Sequence, residues 1–302
     1  MAAPFKKIRV QLRGSVMGTD IKTNPNTGTE TGTVLQTATD NGTDTHTLSV
    51  KNLTASWNKK NVLQNINLDL NTKEFVCLSG PNGSGKSTLL TLMAGIRKNG
   101  LKGTDILLDS VPLKTLPRLK ITSHIAYLTQ AEFPAWNYTA RDVVLTGRFG
   151  RAKSGIYTPI DYAAAEEAIK KVQIENLADK NILSLSGGEY QKVRIARALA
   201  QNTAFLLLDE PVANLDFAYQ NDLLALLKEL AHSENKGILV CIHDLNTAAR
   251  FADRLALLQK NGSLVSGSID QVMSPQILEK IYGHKFSTFI HPGYKCLQAY
   301  EI

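Results

Sequence analysis

The chain has 302 residues, 43% apolar and 20% charged, ordinary globular values that allow one large domain or two small ones and exclude a disulfide miniprotein. No uninterrupted apolar run approaches the ~18 residues of a membrane-spanning helix, so a soluble chain is expected. The formal charge of +7 suits nucleotide, nucleic acid or an anionic membrane surface without choosing among them.

Residues 1–46 come first. MAAPFKKIRVQLRG is basic but lacks the apolar core of a secretion signal, and residues 19–47 hold eleven threonines among Gly, Asn and Asp with almost no large apolar side chain. Such a stretch cannot offset its ordering entropy by burial, so a disordered extension is expected over 1–46, with Met17 as an alternative start. Lys6, Lys7, Arg9 and Arg13, all ahead of Asp20, leave an organellar targeting segment as the other reading. The widely spaced Cys77, Cys241 and Cys296, without a CxxC pair, support neither a disulfide framework nor a thiolate metal site, and a reducing compartment is expected.

From Leu48 the pattern changes. LSVKNLTASW and VLQNINLDL alternate apolar and polar residues around a polar NKKN, which predicts a hairpin, and EFVCLSG is the continuous apolar run of a buried strand. Directly after it, Gly80-Pro81-Asn82-Gly83-Ser84-Gly85-Lys86-Ser87-Thr88 fits G-x-x-x-x-G-K-[ST] and leads into the helical LLTLMAGI. The glycines let consecutive backbone N–H groups curl around phosphate oxygens, the helix N-terminus adds its dipole, Lys86 supplies a point charge, and Ser87 is a Mg²⁺ ligand. A helix-capping glycine turn would need neither the preceding buried strand nor the lysine.

Between Gln130 and Leu185 the helical patterns ARDVVLTGR and DYAAAEEAIKKV occur without a buried strand, so a helical insertion is expected at about 131–190. Leu185-Ser186-Gly187-Gly188-Glu189 then precedes the helical KVRIARALAQ; Ser-Gly-Gly reads either as an N-cap or as a second anion nest. AFLLLDE at 204–210 ends a buried strand with two acids, at the edge where parallel sheets bind ligands. Asp209 is the candidate Mg²⁺ holder and Glu210 the candidate general base, able to take a proton from an attacking water. Leu223, Leu224, Leu227 and Leu230 share one helical face ahead of the strand GILVCIHD at 237–244, which indicates a parallel, helix-covered sheet. Residues 254–302 read as a sheet edge plus a tail.

A phosphate loop, an LSGGE element about a hundred residues on, an LLLDEP strand and a later histidine together resemble the ATP-binding subunit of ATP-binding cassette (ABC) transporters over roughly 48–290. That resemblance implies an α/β P-loop NTPase fold with an antiparallel β part and a helical subdomain, within an ATPase domain over 47–302. It places Trp57 against adenine, although edge-of-sheet packing is the plain alternative. It further implies that Gln130 contacts Mg²⁺ or the attacking water, that Asp216 in ANLD reaches across a dimer, and that His243 hydrogen-bonds the γ-phosphate. Ser186, Gly187 and Gly188 would then complete the partner's ATP site in a head-to-tail homodimer. Separate transmembrane permease subunits, a substrate-binding protein and a peripheral position on the cytoplasmic face follow from the same resemblance, with no nucleic acid partner. Val212 and Tyr190 depart from the family pattern, and Tyr190 bears on how the signature helix begins. DVVLTGRFG, HDLNTAARFADR and IYGHKFSTFIHPG are similar to the ATPases of iron-siderophore, haem and cobalamin importers. The alternatives are a zinc or manganese importer ATPase and a soluble, non-transport ABC ATPase.

Overall fold

The computed structural model describes residues 45–302 except 58–59, 98–100, 103–104, 134–136, 153–154 and 214. The extension expected over 1–46 therefore lies almost wholly outside the described residues, as does the side chain of Trp57. In chain order the elements are β1 (Thr47–Trp57), β2 (Lys60–Asn71), β3 (Glu74–Ser79), α1 (Lys86–Met93), β4 (Leu101–Lys102), β5 (Asp105–Leu108), β6 (Val111–Pro112), α2 (Arg118–His124), β7 (Ile125–Leu128), α3 (Ala140–Thr146), α4 (Pro159–Lys171) and α5 (Gly187–Ala200). They continue through β8 (Phe205–Leu208), α6 (Phe217–Ser233), β9 (Gly237–Cys241), α7 (Leu245–Phe251), β10 (Arg254–Leu258), β11 (Leu264–Gly267), α8 (Ile269–Val272), α9 (Pro275–Tyr282), β12 (Phe286–Ile290) and β13 (Leu297–Glu301).

β1 and β2 form the expected antiparallel hairpin. Its inward face changes parity: Leu48 and Val50 are buried, then Leu53 and Ala55, because the register slips between Val50 and Leu53 where Asn52 takes φ 51°. β5, β6 and β4 extend this sheet.

The second sheet runs β11-β10-β3-β9-β8-β7, parallel from β10 to β7. Its alternate residues build two cores, which is why its strands read as unbroken apolar runs. Phe75, Cys77, Leu206, Leu208, Ile238 and Val240 face α5, α6 and α7, whereas Val76, Leu78, Phe205, Leu207 and Leu239 face α1 and the hairpin sheet. The leucine face of α6 packs as its spacing predicts, with Leu223, Leu224, Leu227 and Leu230 all buried. Each such burial contributes about 1.5–3 kcal/mol.

The C-terminal region departs from expectation. β10 lies inside the sheet beside β3, with Leu255 to Leu258 fully buried, and only β11 forms the edge. β12 and β13 pair in a separate two-stranded sheet. Asn246 fastens that hairpin to α7 like a missing strand neighbour, accepting from the Ala299 N–H at 2.8 Å and donating to its carbonyl oxygen at 3.0 Å.

Between Gln130 and Leu185 the described residues hold α3 and α4, with β pairing confined to single bridge residues such as Thr139 with Asn181. The GRFGR segment after α3 acts as a cap for α5. Gly147 lets the chain pass where a Cβ would stand 2.3 Å from the Arg197 carbonyl oxygen. Arg148 then donates to the Ala200 carbonyl at 2.9 Å, an orphan acceptor of the last turn of α5, and Arg151 to those of Gln201 at 3.2 Å and Asn202 at 2.7 Å in the turn that follows. The Arg148 charge is balanced by Asp161 at 3.1 Å, and both side chains are buried.

Candidate active site

The C-terminal ends of β3, β7, β8 and β9 meet at one edge of the parallel sheet. β3 ends in the phosphate loop. Gly80 takes φ 143° and passes so near β10 that a Cβ would lie 2.1 Å from the Leu258 carbonyl oxygen. Gly83 and Gly85 also have positive φ, and Gly85 caps α1, leaving the first amides of that helix pointing into the loop without a side-chain cap. Asn82, Gly83 and Ser87 are exposed, and Thr88 is half-buried. Lys86 folds back beneath the loop, donating from Nζ to the carbonyl oxygens of Gly80 at 2.9 Å and Pro81 at 3.1 Å.

Beside the loop, Asp209 directly follows β8 and is only 1% exposed. Burial pushes its carboxyl up, against the opposing pull of the neighbouring Ser87 hydroxyl and Cys241 thiol. Its Oδ1 has no hydrogen-bond partner. Glu210 follows at φ 51°, a backbone conformation uncommon outside glycine, and this turn separates the directions of the two acids. Glu210 accepts from Gln130 Nε2 at 2.9 Å, and its other oxygen lies 2.5 Å from His243 Nε2. Two residues far apart in the chain, Gln130 and His243, therefore converge on the Glu210 carboxylate.

Other candidates lie apart. Ser186 begins α5 through a reciprocal capping box with Glu189, and the helix starts normally because Tyr190 turns into the core at 7% exposure. Among the described residues no hydrogen bond joins 186–188 to the phosphate loop. Asp216 caps α6 by accepting from the Tyr219 N–H at 2.9 Å. Among the described residues none of Ser186, Gly187, Gly188 and Asp216 hydrogen-bonds Gln130, Glu210 or His243. Trp57 pairs through its backbone with Lys60.

Sequence reasoning missed Cys241 as a neighbour of Asp209. The register of β8 with β9 pairs Leu208 with Val240, which sets the next residues, Asp209 and Cys241, side by side. A parallel pairing of those two strands was the available signal.

The sequence profile of ABC transporter ATP-binding domains matches residues 63–213, half of the chain. The chain belongs to the ABC transporter ATP-binding family. It is similar to a hemin import ATP-binding protein of Shewanella denitrificans, 33% identical over 81% of this chain and 96% of the relative. Among solved structures it resembles a metal-chelate type ABC transporter in an inward-facing conformation, with a TM-score of 0.72 and 28% identity over 85% of this chain and 97% of that one. It also resembles a dimeric ATP-binding cassette in a post-hydrolysis state holding ADP and Pi, with a TM-score of 0.64 and 30% identity over 74% of this chain and 98% of the other. This ABC protein is an ATPase with the α/β P-loop fold, and none of its described helices is long and apolar enough to cross a membrane.

Proposed function

We propose that this ABC ATPase powers an importer of a metal chelate, of the haem, iron-siderophore or cobalamin type. The observation that carries the cargo class is the likeness to hemin import ATP-binding proteins along nearly their whole length. The chemistry follows from the residues at the sheet edge. The loop amides from Gly80 to Gly85 and the α1 N-terminus bind the ATP phosphates, with Lys86 turning from its loop carbonyls to the phosphate oxygens. Glu210 takes the proton of the attacking water while Gln130 and His243, both on its carboxylate, orient that water and the γ-phosphate. The Ser87 hydroxyl and the buried, unpartnered Oδ1 of Asp209 form an oxygen donor set that fits Mg²⁺, with Gln130 as a further oxygen donor. An ion held by these residues would supply positive charge to the nucleotide phosphates.

Ser186, Gly187, Gly188 and Asp216 make no hydrogen bond to their own chain's cluster, which supports their serving the ATP of a second copy in a head-to-tail homodimer. Trp57 stacks on adenine. Domain boundaries at 46/47 and a helical subdomain at 131–190 belong to the same reading. Dimer closure and opening drive separate permease subunits, fed by a substrate-binding protein, from the cytoplasmic face of the membrane. The test is ATPase activity of the complex reconstituted with its membrane subunits. Stimulation by haem, a ferric siderophore or cobalamin is expected, and stimulation confined to free zinc or manganese would overturn the cargo class.

A further inference from the structure

The hydrogen bond between Gln130 and Glu210 is flanked by two stretches of backbone, and one helix outside the sheet holds both. Arg194, on α5 and 2% exposed, donates from Nη2 to the Thr129 carbonyl oxygen at 2.6 Å and to the Thr129 hydroxyl at 2.9 Å, on the residue just before Gln130. From Nη1 it donates to Gln191 Oε1 at 2.5 Å. Gln191 donates in turn to the Pro211 carbonyl oxygen at 3.0 Å, on the residue just after Glu210.

Burying a guanidinium carries a desolvation cost, and an apolar side chain of similar volume would fill the same space without it. Charge balance does not explain the choice either. The nearby Glu132 lies 3.6 Å from Arg194 Nε but is already engaged by Arg197 through two bonds of 2.7 and 2.6 Å. A guanidinium differs from those substitutes in being a planar fork with fixed donor directions. Here the fork sets the backbone before Gln130 relative to the side chain that holds the backbone after Glu210.

We propose that Arg194 is a positioning residue for hydrolysis: through Thr129 and the Gln191–Pro211 bond it fixes the spacing of Gln130 and Glu210 and ties it to the orientation of α5. The helix that begins at Ser186 thereby reports its tilt to the water-activating cluster. The inference rests on Gln130 and Glu210 being the hydrolytic groups proposed above.

The test measures kcat, KM and ATP affinity for Arg194→Lys and Arg194→Met, each alone and combined with Gln130→Ala. It adds amide hydrogen exchange over residues 128–133 in nucleotide-free protein. None of the bonds of Arg194 and Gln191 touches residues 80–88, so ATP affinity and KM should hold while kcat falls by about 10–100-fold, the scale of a small misplacement of reacting groups. Exchange should rise locally in both variants, since a lysine ammonium cannot reproduce the fork. In the Gln130→Ala background the further loss should almost vanish, because the spacing then has nothing left to position. Wild-type kcat in both variants, or losses that multiply fully with Gln130→Ala, would overturn the proposal. Should Arg194→Met fail to fold, Arg194→Lys decides on the same readouts. A Gln130→Ala variant turning over at the wild-type rate brings down the site assignment and this inference with it. An impaired Gln130→Ala beside unimpaired Arg194 variants brings down the inference alone.

Discussion

Glu210→Gln separates the chemical role of the carboxylate from its structural one. The carboxylate is held at both oxygens, by Gln130 Nε2 at 2.9 Å and by His243 Nε2 at 2.5 Å. An amide of the same shape keeps both contacts: its oxygen accepts from Gln130, and its NH₂ donates to His243 Nε2 when the imidazole proton sits on Nδ1. Glutamine meets the positive φ at this position much as glutamate does, so backbone strain is unchanged. The basic oxygen is what disappears. A general base contributes roughly 10²–10⁴-fold to rate, which corresponds to about 2.7–5.4 kcal/mol on the barrier. Phosphate release under saturating ATP should fall by that factor, with equilibrium ATP binding retained and a closed dimer accumulating on gel filtration. Near-wild-type turnover with intact ATP binding would remove Glu210 from the role of base, since the substitution leaves it no proton acceptor.

Gly80→Ala should cost about 3 kcal/mol or more and abolish ATP binding, because the new Cβ meets the Leu258 carbonyl oxygen at a positive φ. Thermal unfolding would show a midpoint lowered by roughly 6–12 °C, and an unchanged midpoint would contradict the close approach of loop and β10. Arg148→Met should destabilise by about 2–3 kcal/mol, measured by denaturant titration. That is less than the ~3–5 kcal/mol of a wholly orphaned buried charge, because Asp161 keeps the Thr158 N–H and hydroxyl. The Thr158 N–H first, then the Thr158 hydroxyl and the Arg148 guanidinium, hold the Asp161 carboxyl below its ordinary range. Its contribution is therefore present above the ordinary aspartate value of ~3.9 and is lost as pH falls through the lowered one. Asp161→Asn should flatten that part of the acid limb, and an acid limb identical to wild type would rule the linkage out.

The phosphate loop, the leucine face of α6 and the acids after β8 were legible because each is local: a period, a glycine spacing or a strand end fits inside a dozen residues. Residues 96–124 carried no comparable signal. β4 and β6 are two residues each, a single period of strand alternation with nothing to repeat, and α2 spans less than two full turns. RLALL reads the same at an edge or in the interior, and only its neighbours decide that β10 lies inside and β11 outside. The surroundings of the site were least legible. Arg194 meets Thr129 across 65 residues of chain, and in sequence it is one more arginine on an exposed-looking helix. The GR segment told of kinship before its physics, which is that of two arginines closing a helix end.

The three thiols differ in a way that offers an optical handle on the molecule. Cys77 and Cys241 sit on adjacent strands but face opposite cores, fully buried, and burial pushes both thiols well above their ordinary range, where alkylating reagents find neither access nor thiolate. Cys296, at the entrance to β13, is partly exposed. A maleimide dye should therefore attach at one place without any cysteine being engineered away. It would ride on the hairpin that Asn246 clamps to α7, three residues past His243. Fluorescence from that position would follow the histidine end of the site through binding, hydrolysis and release in real time.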